Sequence, residues 1–197
     1  MTPQAEPVLE LFRSRGAYLQ GHFRLTSGLH SSEYLQCALV LQYPDSAEIL
    51  GRRLADALRA IAGVEVRLVA SPAMGGVIIG HEVARNLGAR FIFTERDAAT
   101  GKMTLRRGFQ VTPGEKAIVV EDVITTGGST QEVVELVSGH GACVIAAGSI
   151  IDRSGGQAGV GVPRVALATL DVSSHEPESC PMCAQGIPVV KPGSRPA

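Results

Sequence analysis

The sequence predicts an α/β fold in which a central, mostly parallel β-sheet is flanked by helices. Two observations carry that prediction. Near-continuous apolar runs occur at Ala117-Ile-Val-Val120 and Val144-Ile-Ala-Ala-Gly-Ser-Ile-Ile151, and they alternate with segments whose apolar residues repeat every three to four positions. A strand that is apolar at every position must be covered on both faces, as a parallel strand between two layers of helix is. Open sheets of this kind bind ligands at the carboxyl ends of their strands, so the strand-to-helix junctions are where chemistry is to be sought.

The elements follow in order. Glu6 to Arg15 places Val8, Leu11 and Phe12 at helical spacing, with Gly16 positioned to end the helix. Ala17 to Tyr34 alternates Phe23 and Leu25 around the turn signal Thr26-Ser-Gly28, which reads as extended chain or a hairpin. From Ser46 to Ala62, Leu50, Leu54, Leu58 and Ile61 recur on one face with Arg52, Arg53, Asp56 and Arg59 between them, an amphipathic helix. Beyond Gly63 the expected order is strand Val66 to Ala70, helix Val77 to Leu87, strand Ala89 to Phe93, strand Ala117 to Glu121 and helix Ser129 to Val137. Strands Cys143 to Ile151 and Arg164 to Val172 complete it. Thr94 to Pro113 is too long for an ordinary connection and reads as a lid, a hairpin or a disordered segment, with Met103 to Phe109 as one hairpin arm. The tail after Ser173, with prolines at 177, 181, 188, 192 and 196, is expected to be largely irregular.

A chain of 197 residues that is 45% hydrophobic has the size of one domain, and residues 1–197 are expected to form one. Its 18 basic and 19 acidic residues nearly cancel, which argues against a nucleic-acid partner and for a small-molecule ligand. No apolar run approaches the roughly 20 residues that span a bilayer. The N-terminus from Met1 to Glu6 also lacks the regions of a signal peptide, so a cytoplasmic protein with reduced thiols and no membrane association is expected. Cys180-Pro-Met-Cys183 with His175 nearby offers three metal ligands. A closed zinc site takes four, and with no fourth apparent the expectation there is spare thiols.

The strongest chemical feature is the apolar strand that ends in Glu121-Asp122 and continues through Val123-Ile124 into Thr125-Thr-Gly-Gly-Ser129 and a helix. Gly127 and Gly128 let the backbone approach an anion, and the hydroxyls of Thr125, Thr126 and Ser129 can donate to it. The helix start adds unpaired N–H groups and a positive dipole end. Together these cradle one phosphate, and the adjacent carboxylates suit the hydroxyls of a ribose. The bland alternative is a capping box between Ser129 and Glu132 with solvated acids at a strand end. No Gly-Lys-Ser/Thr follows the glycines and no Gly-x-Gly-x-x-Gly opens a helix after the first strand, which excludes the P-loop and the dinucleotide fingerprint. A second small-residue loop, Ala70-Ser-Pro-Ala-Met-Gly-Gly76, joins strand to helix one unit earlier and can present N–H groups to a second anion, for which pyrophosphate is the natural candidate.

The run Val119-Val-Glu-Asp-Val-Ile-Thr-Thr-Gly-Gly-Ser-Thr130 closely resembles the phosphoribosyl pyrophosphate motif of type I phosphoribosyltransferases. Over most of its length the chain resembles the orotate phosphoribosyltransferase family: Gly21-His-Phe-Arg-Leu-Thr-Ser-Gly-Leu-His-Ser31 with Tyr34 matches that family's Phe-x-Leu-x-Ser-Gly-x-x-Ser pattern. The resemblance implies the type I phosphoribosyltransferase fold, with a hood from about residues 1–40 plus the tail, over a core of about 45–172. It implies transfer of ribose 5-phosphate from phosphoribosyl pyrophosphate (PRPP) to orotate, with Mg²⁺ held through PRPP and not directly by the protein. It implies, too, a homodimer whose mobile loop serves the neighbouring site.

By the same resemblance, Glu121, Asp122, Val123, Ile124, Thr125, Thr126, Gly127, Gly128 and Ser129, with Met74 and Gly75, bind PRPP. Thr125, Arg153, Tyr34 and Leu35 meet orotate, the Arg153 guanidinium suiting a planar carboxylate. Lys102, Arg96 and Asp122 are the expected catalytic residues. Three positions depart from the pattern. Ala99 stands where the family has a loop lysine, Lys102 being the nearest lysine; Met74-Gly75 stands where some members have an aromatic residue and lysine; and Thr26 stands where some have lysine. Charge opposite pyrophosphate must then come from backbone donors, Mg²⁺ and Arg96, Arg106 or Arg107. The tail from Cys180 to Arg195 is similar to the ending of a shorter, bacterial-type branch. Transfer to another base, or PRPP binding without full catalytic competence, are the alternatives.

Overall fold

The computed structural model describes residues 5–25, 28–170 and 174–192. Helix α1 (Ala5–Ser14) buries Val8, Leu9 and Phe12, and Gly16 leaves it at φ +63°. The predicted hairpin is formed by β1 (Tyr18–Arg24) and β2 (His30–Leu35), paired antiparallel. Of the turn signal between them, Thr26 and Ser27 lie outside the described residues. A one-turn helix α2 (Cys37–Leu41) leads into α3 (Pro44–Ala62), which starts earlier than its apolar pattern because Pro44 occupies the first turn, where a missing N–H costs nothing.

The sheet comprises β3 (Leu68–Pro72), β4 (Arg90–Arg96), β5 (Met103–Leu105), β6 (Lys116–Ile124), β7 (Cys143–Asp152) and β8 (Arg164–Thr169). Its order is β5-β4-β3-β6-β7-β8, parallel throughout except for the edge strand β5, which runs antiparallel to β4. Helices α4 (Gly76–Leu87) and α5 (Gly128–Gly139) make the crossovers after β3 and β6. Alternation along the strands explains the continuous apolar runs. Val69, Ile118 and Val120 face the layer of α3 and α4, with Leu50, Leu54, Ile79 and Val83. Leu68, Ala70, Ala117 and Val119 face α5, with Val133 and Val137. Both faces are apolar at these positions, and the buried polar side chains Ser71, Thr94, Glu121 and Ser149 fall in the carboxyl-terminal halves of their strands.

The Thr94 to Pro113 excursion contains the expected hairpin, with Met103–Leu105 as one arm: β4 runs on to Arg96 because Thr94, Glu95 and Arg96 pair with Leu105, Thr104 and Met103. What remains is a tight turn in which the Asp97 carboxylate accepts from the N–H groups of Ala99 and Thr100. The expectation for the tail is corrected, since its described part, residues 174–192, carries ordered elements. A strand β9 (Ser174–His175) pairs with β2, a 3₁₀ turn spans Pro177–Ser179, and a short helix α6 (Pro181–Ala184) follows. Val190 then bridges to Phe23 in parallel. Cys180 and Cys183 meet His22 and His30, and not His175. Strand 164–172 is described only to Leu170, and no helix among the described residues is long and apolar enough to cross a membrane.

Candidate active site

Because β3 and β6 are neighbours, their carboxyl ends deliver both small-residue loops to one place. The loop after β3 is pressed against the end of β6: a Cβ on Gly75 would stand 2.5 Å from the Asp122 carboxylate, so only glycine fits there. The Ala73–Met74 peptide is cis. On the other side, Gly127 adopts φ +85° and caps α5. With glycine at the cap, no capping side chain bonds the first N–H groups of that helix among the described residues, which leaves its donors and dipole for an anion. The capping box is therefore not made: Glu132 accepts instead from Arg96, through both oxygens at 2.9 and 3.0 Å.

Two cavities meet at these loops. The larger, about 1070 Å³, is walled by Gln36, Pro72, Met74, Gly75, Glu95, Arg96, Glu121, Lys191 and others. The smaller, about 480 Å³, is walled by Leu25, Leu35, Val123, Thr125, Thr126, Arg153 and others. Tyr34, Gln36, Asp122 and Ser129 line both. Asp122 thus stands on the wall the two share. It is half-buried, and its Oδ1 accepts from the Val123 N–H at 2.9 Å. Its neighbour Glu121 is 8% exposed. Burial first, and then the Asp122 charge, push the Glu121 carboxyl well above the ordinary carboxylate range.

The smaller lobe holds an unusual cation. Arg153 follows β7, with its N–H donating to the Ile124 carbonyl at 2.8 Å. The loop behind it is braced by the Asp152–Arg164 ion pair at 2.6 Å, with Asp152 also accepting from Ser154. The Arg153 guanidinium makes one long bond, to Ser31 Oγ at 3.5 Å, and its buried Nε has no partner among the described residues. Burial pulls its pKa below the ordinary arginine value. A desolvated guanidinium with free donors is built for a planar anion. Tyr34 packs against Phe23 with ring centroids 5.8 Å apart, and burial raises its phenol.

The larger lobe is different. Arg96 lies in its wall but is engaged by Glu132, while Arg107 is paired with Glu95 at 2.8 Å and stacked over Phe93. Lys102 is exposed on the β4–β5 turn and lines neither lobe, so the structure does not bring it to the site with Arg96 and Asp122. Ile124 contributes no side chain: it is 1% exposed, in the core beside α5. Met74, by contrast, is 82% exposed over the cleft. Sequence reasoning missed Gln36, Glu132 and above all Lys191. Nothing local to the tail signals that Lys191 returns to the cleft, because its placement depends on pairing between Val190 and β1.

The chain matches the phosphoribosyl transferase domain family over residues 40–161. It is 55% identical over 190 residues to orotate phosphoribosyltransferase of Pelotomaculum thermopropionicum, covering 96% of this chain and 97% of the relative. To the protein of the same name from Thermotoga petrophila it is 53% identical over 188 residues, covering 95% and 98%. Among solved structures, orotate phosphoribosyltransferase from Aeropyrum pernix superposes with a TM-score of 0.67 at 26% identity, covering 83% of this chain and 93% of the other. Adenine phosphoribosyltransferase from Trypanosoma brucei shares the fold, with a TM-score of 0.60 at 18% identity over 83% and 79% of the two chains.

Proposed function

The chain belongs to the orotate phosphoribosyltransferases, within the phosphoribosyl transferase domain family, and from that premise we propose how its two lobes divide the reaction between PRPP and orotate. The observation that carries the reading is Asp122 on the wall shared by both lobes, with the unpaired Arg153 in one of them. The 5-phosphate rests on the Thr125 to Ser129 turn, against the first N–H groups of α5. Asp122 accepts from the ribose hydroxyls, and Glu121, nearly closed off from the cleft, supports it from behind. Orotate lies in the smaller lobe between Tyr34 and Leu35, its carboxylate on Arg153. Pyrophosphate lies in the larger lobe, against the backbone at Met74 and Gly75, with Arg96 and Lys191 in reach of it.

In this arrangement the bond from C1′ to pyrophosphate oxygen breaks, the bond from C1′ to orotate N1 forms on the opposite face, and the N1 proton is released. The protein contributes position and a preorganised field. Ribose is held from the junction while the two partners of C1′ occupy opposite lobes. The donor chemistry fits a magnesium complex of PRPP: Asp122 offers a hard oxygen half-open to the cleft, and among the described residues no group of three or more metal-binding side chains gathers there. Mg²⁺ keeps several waters and shares substrate phosphates, and when bound with PRPP it offsets the charge of the leaving group.

The exposed Lys102, which does not line its own cleft, fits a homodimer in which the β4–β5 turn serves the neighbouring copy. The reading is that of a cytoplasmic enzyme of pyrimidine biosynthesis. It is tested by following orotate consumption with PRPP and Mg²⁺ beside uracil, adenine and hypoxanthine. Turnover of orotate alone is expected; base exchange with a purine and none with orotate would overturn it.

A further inference from the structure

The tail from Ser174 to Pro192 is ordered against the hood with very little apolar burial to hold it. Neither the 3₁₀ turn nor α6 buries a residue within its span, and Ile187, Val189 and Val190 are 42%, 46% and 55% exposed. Its main-chain attachments are few: the two-residue pairing of β9 with β2, the Arg24 N–H donating to the Val190 carbonyl at 2.9 Å, and the Val190 N–H donating to the His22 carbonyl at 2.8 Å. Apolar burial and a handful of exposed hydrogen bonds do not offset the entropy of fixing a segment of this length. At the centre of the attachment, however, Cys180, His22 and His30 are buried at 2%, 3% and 5% exposure, with Cys183 beside them.

We propose that His22, His30, Cys180 and Cys183 bind a zinc ion that clips the C-terminal tail to the β1–β2 hairpin. One ligand atom from each residue lies within 4.8 Å of all the others. A tetrahedral centre with Zn–S of about 2.3 Å and Zn–N of about 2.0–2.1 Å has N···S edges near 3.5 Å and N···N edges near 3.3 Å. The N···S separations are 3.5 Å from Cys180 to His22, 3.8 Å from Cys183 to His22 and 3.3 Å from Cys183 to His30. The two imidazole nitrogens are 2.8 Å apart, a difference that a small ring rotation closes.

The ligands are also presented as a metal needs them. His22 Nδ1 lies 2.7 Å from the Ile187 carbonyl. A carbonyl only accepts, so Nδ1 carries the proton and Nε2 turns its lone pair into the cluster, the outer-sphere arrangement of zinc-bound histidines. His22 owes its direction to the break in strand register between Gln20 and Phe23, which re-aims the side chain. The cysteines flank the start of α6, a CxxC knuckle closed by the Ala184 N–H donating to the Cys180 carbonyl. Two thiolates cancel the charge of a divalent ion, so the site is neutral, with three ligands buried and Cys183 on its exposed side, and a two-sulfur, two-nitrogen tetrahedral set suits zinc. Because Val190 is tied to His22, the clip also fixes Lys191 and Pro192 at the edge of the larger lobe. The proposal does not depend on which base the enzyme uses.

The test is elemental analysis of tag-free protein purified with a reductant, together with cobalt substitution and limited proteolysis. Expected are one zinc per chain, the strong visible absorption of tetrahedral thiolate-bound cobalt on exchange, and faster cleavage within 185–192 after chelation, reversed by zinc. Cys180→Ser and Cys183→Ser are expected to lose the zinc, while His175→Ala keeps it. Absence of zinc together with no cobalt absorption in the wild-type chain overturns the proposal whether or not the variants fold. Full zinc retention in the double cysteine variant, or a Cys180–Cys183 disulfide in reduced preparations, does the same.

Discussion

The two lobes of the cleft handle positive charge in opposite ways. In the smaller, Arg153 is half-buried on a loop braced by Asp152 and Arg164, and its buried Nε has no partner among the described residues. In the larger, Arg96 is exposed and already engaged with Glu132, and the wall residue Glu95 is engaged by Arg107 from outside the lobe's lining. A buried, unpaired guanidinium is costly and is tolerated where a ligand completes it. Exposed pairs are weakened by solvent screening, so a pyrophosphate can displace their carboxylates easily. One lobe is thus preorganised for a weakly charged, planar ligand, whereas the other can be rearranged by a highly charged one.

The sharpest way to break this comparison is at the shared wall. Asp122→Asn is expected to lower kcat by roughly 10²–10³-fold, the scale for loss of one preorganised polar group at a reacting centre. Folding should be unharmed, because the substitution removes a like charge beside the buried Glu121. Steady-state kinetics with a thermal melt checks both parts, and near-normal turnover would remove Asp122 from the reaction. Arg153→Ala is expected to raise KM for orotate by about 10–100-fold, the value of charge-assisted bonds to a carboxylate, while KM for PRPP stays within a factor of about two. Equal changes in both constants would deny the division between lobes. The smallest effect is at Glu132: freeing Arg96 by Glu132→Gln should lower KM for PRPP by at most about fivefold, the equivalent of 1 kcal/mol. A raised KM would mean that the pair positions Arg96 instead of competing for it.

Legibility followed the range of the interactions concerned. The phosphate turn at Thr125 to Ser129 and the carboxylates before it are contiguous, and a strand, two glycines and a helix start are local signals. Arg153 follows an apolar strand whose end is predictable, but its place opposite a carboxylate was an expectation from the resemblance alone. Lys102 was legible only as the nearest lysine of the loop: Arg96 lies in the cleft wall, while the Asp97 turn and the pairing of β5 hold Lys102 on an exposed turn that lines neither lobe. Glu132 was legible only as a capping residue, since its partner Arg96 is far away in sequence. Lys191 and the histidine partners of Cys180 and Cys183 were not legible at all.

By itself the sequence determined the α/β class, the mostly parallel character of the sheet and the strand–turn–helix junction at Thr125 to Ser129, because each depends on periodicity or on residues adjacent in the chain. Tertiary structure alone decided which charges are free and which are paired, and that Gly75 packs on Asp122. It alone gathered His22, His30, Cys180 and Cys183, whose contacts join the two ends of the chain. The physical reason is that pairing across more than a hundred residues is set by sheet register and packing, which no local pattern encodes.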